Sequence, residues 1–480
     1  MWPPPDLPYE LVVWPVSAVL GCAAGLNAQV TLGIVTASVG FYAMARRWVR
    51  SRWLTLGGGL LFGFSPYITS EVIVGHTYLV EAGAIPLLFL AVHEVLVRQH
   101  WSPMRAGLFL GSTALVQLLT SEELLFDSVV LLAVGVVLLC LFTHEITKER
   151  LAYIASSLIY ALPFAVVAVP FLGYQFLGPG ALHGNLVPAA YWEATAVSLF
   201  LPGAQQALTL PTVAHLVWLW SFGAPELASY FGIPLTITLG LLMLRFRDET
   251  IAWLACMATV AMICSMGAVL DVTSRLPIRL LNNDLPARYS LFTDLFGILL
   301  LGILLDRLAS VRPWLAAGLL VLVAASWVPL LSVPYSTPPT PPFFQTAHDE
   351  QSISPGSTVL VLPYAYGPST DLAMFWQARA HFRFRMPEGY FTGNSIKDDS
   401  YDRPSEAPFV LSLVAADNGE AAAGSLAQIR SAARIFLRSQ DVSWVVVGPS
   451  RYEDLQVRFT RKVLRERGRS VGGVVLFHIG

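Results

Sequence analysis

The sequence predicts a polytopic α-helical membrane protein of about ten transmembrane helices, with a small extracytoplasmic α/β domain at its C-terminus. Three observations support this fold class. Hydrophobic residues make up 55% of the 480 residues and charged residues only 13%, about half the charged fraction of typical soluble proteins. Apolar segments of about 20 residues, enough to cross a bilayer, recur between residues 27 and 331. Beyond residue 341 the composition resembles that of an ordinary soluble domain.

Clusters of basic residues predict the direction in which each apolar segment crosses the membrane. The first segment, residues 27–45, ends at Arg46, Arg47, Arg50 and Arg52, and short cytoplasmic loops collect Lys and Arg. With that cluster in the cytoplasm, alternation places the C-terminal domain outside and orients the other segments: 53–66, 78–97, 106–119, 124–141, 151–172, 230–244, 251–269, 289–305 and 314–331. Three basic residues on the outer side then need a local explanation: Arg275, Arg279 and Arg288.

The domain organisation follows from these changes in composition. We predict four regions: residues 1–26, an outer-face segment with a short apolar or re-entrant piece; 27–333, the transmembrane domain with a large outer loop at 173–229; 334–345, a Pro-rich linker; and 346–480, a soluble domain. Pro-rich segments of this kind are extended and stiff. In the last region, strand patterns at 358–362, 442–447 and 471–478 alternate with helix patterns at 425–439 and 452–467, which is typical of a small α/β layer domain.

Several functional classes are excluded at this stage. No block of Lys and Arg suggests a nucleic-acid partner, and the four cysteines lie in apolar stretches that favour neither disulfides nor a thiolate metal site. His93 and Glu94 are followed by His100, which is not the i, i+4 histidine pair of zinc proteases. We therefore predict no metal ligands, although the sequence leaves open whether a divalent metal takes part.

Ionisable side chains gather at the outer ends of the predicted helices. Such groups are costly at a bilayer and by default mark a site or a pathway: Asp6, Glu10, Glu71, His76, Glu81, Glu122, Glu123, Asp127, Glu226, Asp284, Arg288 and Asp294. Each also has a structural interpretation. Thr120 and Glu123 fit a capping box at the start of the next helix, and His76 suits a hydrogen bond to a backbone carbonyl. Arg288 either extends its guanidinium to lipid phosphates or grips a lipid-linked phosphate bidentately.

Short motifs distributed over most of the chain resemble a known family. In the apolar region they are FGFSPY from Phe62, GH from Gly75, LLTSEELL from Leu118 and LPARY from Leu285. In the tail they are VLVLPY, FWQAR, FRFRMPEGYF and VVVGPS, which begin at Val359, Phe375, Phe382 and Val445. Together they resemble a family of bacterial multi-pass proteins related to the GT-C glycosyltransferases, which use polyprenyl-phosphate sugars.

The resemblance implies transfer of a sugar from a lipid-phosphate donor, with inversion at the anomeric carbon, at the outer face of the bacterial plasma membrane. The partners would be the bilayer, the polyprenyl-phosphate sugar as co-substrate, and an acceptor in the cell envelope, which is a glycan, a lipid or a protein. GT-C enzymes place a catalytic Asp or Glu in the first extracytoplasmic loop, just after the first helix. Here only Asp6 and Glu10 precede the next span, so on this comparison the chain looks N-terminally truncated.

Roles for the outer-face residues follow from this resemblance. The general base, which takes the proton of the acceptor hydroxyl, is expected among Glu81, Glu122 and the N-terminal acids Asp6 and Glu10. Arg288 is expected to hold the departing phosphate, with His76 assisting. The other residues expected at the substrate are Asp284, Tyr289 and Glu226.

Two alternatives to an enzyme remain open on the sequence. A non-catalytic scaffold or assembly factor for envelope glycan synthesis would keep the membrane domain and use the tail to bind a partner. A lipid or glycan transporter would need charged or broken-helix sites near the middle of the membrane, often in two similar halves. The sequence has no internal repeat, and its ionisable residues cluster at one face, which counts against transport.

Overall fold

The computed structural model of the protein describes residues 6–142, 147–178, 192–221, 227, 229–268, 285–330, 338–345, 353–366, 371–389 and 407–479. The chain divides into two units, each with its own contacts. The first is built from Trp2–Ala181 and Val187–Val333, and the second is built mainly from Pro334–Gly480. We call them the helical unit and the tail domain.

The helical unit contains α-helices wherever the sequence is apolar over a long stretch. They are α1 Leu7–Leu20, α2 Cys22–Ala45, α3 Arg52–Gly63, α4 Pro66–Val74, α5 Thr77–Val80, α6 Ala84–His93, α7 Pro103–Thr120, α8 Glu122–Phe142, α9 Lys148–Leu177, α10 Ala196–Phe200, α11 Pro211–Trp220, α12 Ile233–Arg245, α13 Glu249–Ile263, α14 Ser290–Ala309 and α15 Pro313–Trp327. Helices α10 and α11 lie within the sequence stretch expected to form a large outer loop.

Five helical segments in the described part of the chain are long and apolar enough to cross a membrane: Cys22–Ala45, Thr77–Arg98, Glu122–Leu141, Lys148–Leu177 and Glu249–Gly267. This makes the chain a membrane protein. Every apolar segment expected from the sequence coincides with a helix, but the expected number of about ten spans is not confirmed. Helices α1, α12 and α15 are apolar but have only 14, 13 and 15 residues.

Helix α14 lies at the centre of the helical unit. Its residues from Ser290 to Leu301 are all buried, and a helix that is apolar on every face belongs in an interior. Helix α2 approaches the turn before α6 very closely, because a Cβ on Gly40 would overlap the carbonyl oxygen of Gly83. Glycine at this contact lets two backbones meet where a side chain would separate them.

The tail domain is a four-stranded sheet with helices. Its strands are β1 Thr358–Leu362, β2 Val442–Val447, β3 Arg469–Val471 and β4 Val474–His478, and its helices are α16 Leu372–Arg379, α17 Pro408–Asp417, α18 Leu426–Ser439 and α19 Glu453–Leu464. The strand order is β1-β2-β4-β3, with β1 and β2 parallel and the other pairs antiparallel. Separate apolar clusters lie against the sheet, one including Phe409 and Phe477, the other Phe344 and Trp376.

Two local expectations were wrong. The single strand expected at 471–478 is a hairpin, because Gly472 and Gly473 have φ of 53° and 83°, the backbone that a two-residue hairpin turn requires. The expected N-cap Thr120 is instead the last residue of α7. Ser121 caps α8, since its hydroxyl accepts a hydrogen bond from the Leu124 N–H at 3.3 Å, and the tight turn between the helices moves the cap by one residue.

Two carboxyl groups of the tail domain are shielded from water, Glu388 fully and Asp417 in part. Glu388 accepts a hydrogen bond from the Val361 N–H at 2.7 Å, and Asp417 accepts one from the Tyr364 N–H at 2.6 Å. Burial raises the pKa of Glu388 to about 8 and that of Asp417 to about 7. Both acids therefore remain largely protonated at pH 6 in the folded domain.

Candidate functional site

A turn between α4 and α5 organises the polar residues of the helical unit. Helix α4 starts at the Ser65-Pro66 break, and the Asp294 carboxyl accepts hydrogen bonds there from the Ser65 hydroxyl and the Tyr67 N–H. The helix ends at Gly75, whose φ of 88° is the left-handed backbone typical of a glycine C-cap. The chain then reverses into residues 76–81, which present successive side chains to two polar clusters.

The first cluster, here called the acid pair, joins Asp6 to Glu81. The Gln29 amide donates to Glu81 Oε1 at 2.8 Å and to Asp6 Oδ2 at 3.3 Å, and the Thr77 hydroxyl donates to Asp6 Oδ2 at 2.8 Å. Both acids are buried, with 8% and 1% of their surface exposed. Asp6 Oδ1 and Glu81 Oε2 are buried and make no hydrogen bond to any described residue.

The environment of Asp6 changes its protonation. Burial, together with the negative charge of Glu10, raises the pKa of Asp6 to about 6, against a smaller lowering by the Thr77 and Gln29 hydrogen bonds. Glu10 itself is exposed. A carboxylate that titrates near the working pH is suited to accept a proton in catalysis.

The second cluster, here called the arginine cluster, surrounds Arg288. One end of the guanidinium forms an ion pair with Glu123, and Nη2 lies 3.4 Å from the Tyr78 hydroxyl. The Tyr78 ring lies 5.8 Å from the His76 ring, and His76 Nδ1 lies 2.8 Å from Glu71 Oε2. Arg288 is 8% exposed, so it is a buried cation with donors that can serve a second anion.

The two clusters are neighbours along the chain. Thr77 contacts the acid pair, and Tyr78, the next residue, contacts the arginine cluster. A buried carboxyl group and a buried guanidinium are therefore contacted by consecutive residues of one short helix.

The other expected site residues have different surroundings. Glu122 accepts a hydrogen bond from Gln175 of α9, while its neighbour Glu123 contacts Arg288. Tyr289 is fully buried in the apolar core, with its ring 6.2 Å from that of Phe292. Glu226 and Asp284 lie outside the described residues. In the part that the structure describes, no three His, Cys, Asp or Glu side chains come together as metal ligands.

The sequence analysis did not identify several members of these clusters. Gln29 and Thr77 were missed because neither is ionisable, although a glutamine inside an apolar helix is itself a signal of a buried polar contact. Tyr78 was missed because tyrosine is ordinary at a membrane interface. Glu123 was both a candidate outer-face residue and a possible cap, and the structure pairs it with Arg288.

Comparison with known proteins identifies the fold. No protein-family model matches the sequence, and no curated protein matches it. Among solved structures, the chain is similar to the mycobacterial arabinofuranosyltransferase AftD, known from single-particle cryo-electron microscopy. The match has a TM-score of 0.52 and 14% sequence identity, and it covers 98% of this chain and 36% of the AftD chain.

At this identity, the match shows a shared fold. The shared fold extends over nearly the whole of this chain. This chain spans little more than a third of the length of AftD. The shared fold and the apolar helices both fit a membrane protein.

Proposed function

We propose that this protein is a GT-C-like membrane glycosyltransferase. It transfers a sugar from a polyprenyl-phosphate donor to a glycan, lipid or protein acceptor on the outer side of the bacterial plasma membrane. The observation that carries the proposal is the juxtaposition on α5 of the acid pair and the arginine cluster, because this reaction needs both a base and a phosphate-binding cation. The shared fold with an arabinofuranosyltransferase supports the same class.

The chemistry assigns one role to each cluster. A carboxylate takes the proton of the acceptor hydroxyl, whose oxygen then attacks the anomeric carbon of the donor sugar. The bond between that carbon and the phosphate oxygen breaks on the opposite face, and the phosphate leaves with the electron pair. Arg288 stabilises the charge that builds up on the phosphate.

Asp6 is the base in this proposal. Its pKa of about 6 leaves it mostly ionised at neutral pH yet basic enough to bind a proton, and its Oδ1 lacks a described partner. Glu81 and Gln29 position it: the Gln29 amide bridges the two acids and holds Asp6 Oδ2. Glu10 contributes its negative charge from an exposed position.

Arg288 is the phosphate-binding residue, and Glu123 occupies part of its guanidinium. Five N–H donors in a planar fork allow Arg to hold one carboxylate and one phosphate together, or to exchange them. His76, oriented by Glu71, adds a second donor beside Tyr78.

Purified protein in liposomes, supplied with radiolabelled polyprenyl-phosphate sugars and envelope acceptors, tests the proposal. Transfer should occur with at least one donor, and Asp6→Asn, which keeps the size and hydrogen bonds of Asp6, should abolish it. Equal transfer by Asp6→Asn and the parent protein would remove Asp6 from the mechanism.

A non-catalytic scaffold is the second candidate. The Arg288–Glu123 ion pair joins α8 to the turn before α14, and a pair of this kind also holds helices together in proteins without catalysis. A scaffold would bind donor lipid or envelope proteins without any turnover in the liposome assay.

A further inference from the structure

The segment that contains helices α18 and α19 carries ten of the fifteen Arg and Lys residues of the tail domain. Between Leu426 and Ser470 the sequence has ten Arg and Lys residues against four Asp and Glu residues, a net charge of +6 in a chain whose total is −2. The rest of the protein is therefore acidic. Nine of the ten basic residues are arginine, the side chain that binds phosphate bidentately.

The basic residues form a stripe on each helix. On α18 they are Arg430, Arg434 and Arg438, spaced by four residues, beside the buried face of Ile429, Ala433 and Leu437. On α19 and its C-cap they are Arg458, Arg461, Lys462 and Arg465. Residues at these spacings lie on one side of a helix, and the buried residues of α19, namely Gln456, Thr460 and Val463, lie on the opposite side.

The two stripes meet at one defined contact. The Arg430 guanidinium donates two hydrogen bonds to the backbone carbonyl of Lys462, at 2.7 and 3.2 Å. This carbonyl is in the last turn of α19, where backbone carbonyls lack a partner within the helix. The arginine donates to it, and its positive charge interacts favourably with the negative end of the helix dipole. Arg430 thus ties the end of one stripe to the other, and we call the joined residues the arginine surface.

The arginine surface lacks internal neutralisation. Arg434, Arg438, Arg458, Arg461 and Arg465 are exposed, and none of them forms a salt bridge with a residue that the structure describes. Asp441, Glu453 and Asp454 lie between Arg438 and Arg458 in the sequence, and Glu466 follows Arg465. Grouping like charges without partners is unfavourable, and a bound polyanion removes that repulsion.

We propose that the arginine surface binds the phosphate groups of anionic phospholipids. Phosphate is the anion that clustered arginines recognise best, and a lipid leaflet presents it at high density. The connection to the helical unit is short: ten residues separate Trp327, the end of α15, from Pro338, and ten residues reach at most about 35 Å. The proposal is independent of the sugar-transfer site and of the side of the membrane on which the tail lies.

Native mass spectrometry of the full-length protein in detergent, titrated with phosphatidylglycerol or phosphatidylcholine, tests this assignment. We expect at least fivefold more phosphatidylglycerol than phosphatidylcholine on the parent protein. The double variant Arg434→Gln/Arg458→Gln should lose at least half of that excess, and adding Arg438→Gln, Arg461→Gln and Arg465→Gln should abolish it.

The matched control is a second double variant, Arg379→Gln/Arg385→Gln, which removes two exposed arginines of the tail domain outside the arginine surface. It should retain the excess in full. Equal loss in both double variants, or an excess that survives all five substitutions, would overturn the proposal. Binding of heparin, a soluble polyanion, without any phosphatidylglycerol excess would also overturn it and would point to an anionic glycan.

Discussion

Replacement of Arg288 is the perturbation whose size the structure defines best. Arg288 is 8% exposed, so water screens its interactions little. Two charge-assisted hydrogen bonds to a bound phosphate are worth about 1.5–3 kcal/mol each. Arg288→Gln should therefore lower kcat/KM for the polyprenyl-phosphate sugar by about 10²–10⁴-fold. Arg288→Lys keeps the charge and one bond, so its loss should be about 10–10²-fold.

Glu123→Gln is the matched control, because it breaks the same ion pair from the other side. If Arg288 serves the donor phosphate, this variant loses thermal stability as Arg288→Gln does, but its transfer rate stays at or above the parent value because the competing carboxylate is gone. Both kcat/KM in liposomes and the Tm are measured for each variant. Equal losses of activity in Glu123→Gln and Arg288→Gln would refute the reasoning and leave the pair with a purely structural role.

Three further predictions concern protonation and buried polar groups. Since the base must be ionised, kcat/KM should be flat above pH 7 and fall about tenfold per pH unit below the Asp6 pKa of about 6; a pH-independent rate from 5 to 7 would exclude Asp6. Gln29→Leu removes the donor that Asp6 and Glu81 share, so it should raise the pH at which activity falls and reduce stability by about 1–3 kcal/mol; an unchanged pH profile would contradict this. In the tail domain, the pKa of Glu388 is raised in the folded state to about 8. Its contribution to the free energy of unfolding is therefore complete at a pH below the pKa of the unfolded state, and it decreases as pH rises towards 8. The loss is about 1.4 kcal/mol per pH unit. Thermal unfolding at pH 6 and 8 should show a Tm that falls with pH, and Glu388→Gln should reduce that fall; an equal fall in both proteins would contradict the assignment.

The sequence was informative wherever local chemistry decides the structure. Apolar runs predicted the membrane helices, because a long apolar stretch has few alternatives to a helix. Strands β1 and β2 were expected at the residues where they occur. The hairpin of β3 and β4 was missed, although Gly472-Gly473 is a direct turn signal.

Contacts between distant residues could not be predicted in this way. Asp6 and Thr77 are 71 residues apart, and Gln29 and Glu81 are 52 apart, so only tertiary packing brings these residues together. Alternation across the membrane predicted one common face for these residues, and the structure brings Asp6 to Glu81 and Glu123 to Arg288. Alternation did not show which acid would meet Arg288, and that partner is Glu123, for which a capping role had also been considered.

Photocrosslinking tests most directly whether α5 organises one donor site. A polyprenyl phosphate with a diazirine next to its phosphate is bound to the full-length protein, irradiated, and its attachment points are mapped by mass spectrometry. The label should attach to peptides that contain residues 76–81 and 285–290, and excess unlabelled polyprenyl phosphate should prevent the attachment. Attachment confined to peptides remote from both segments would contradict the proposed site.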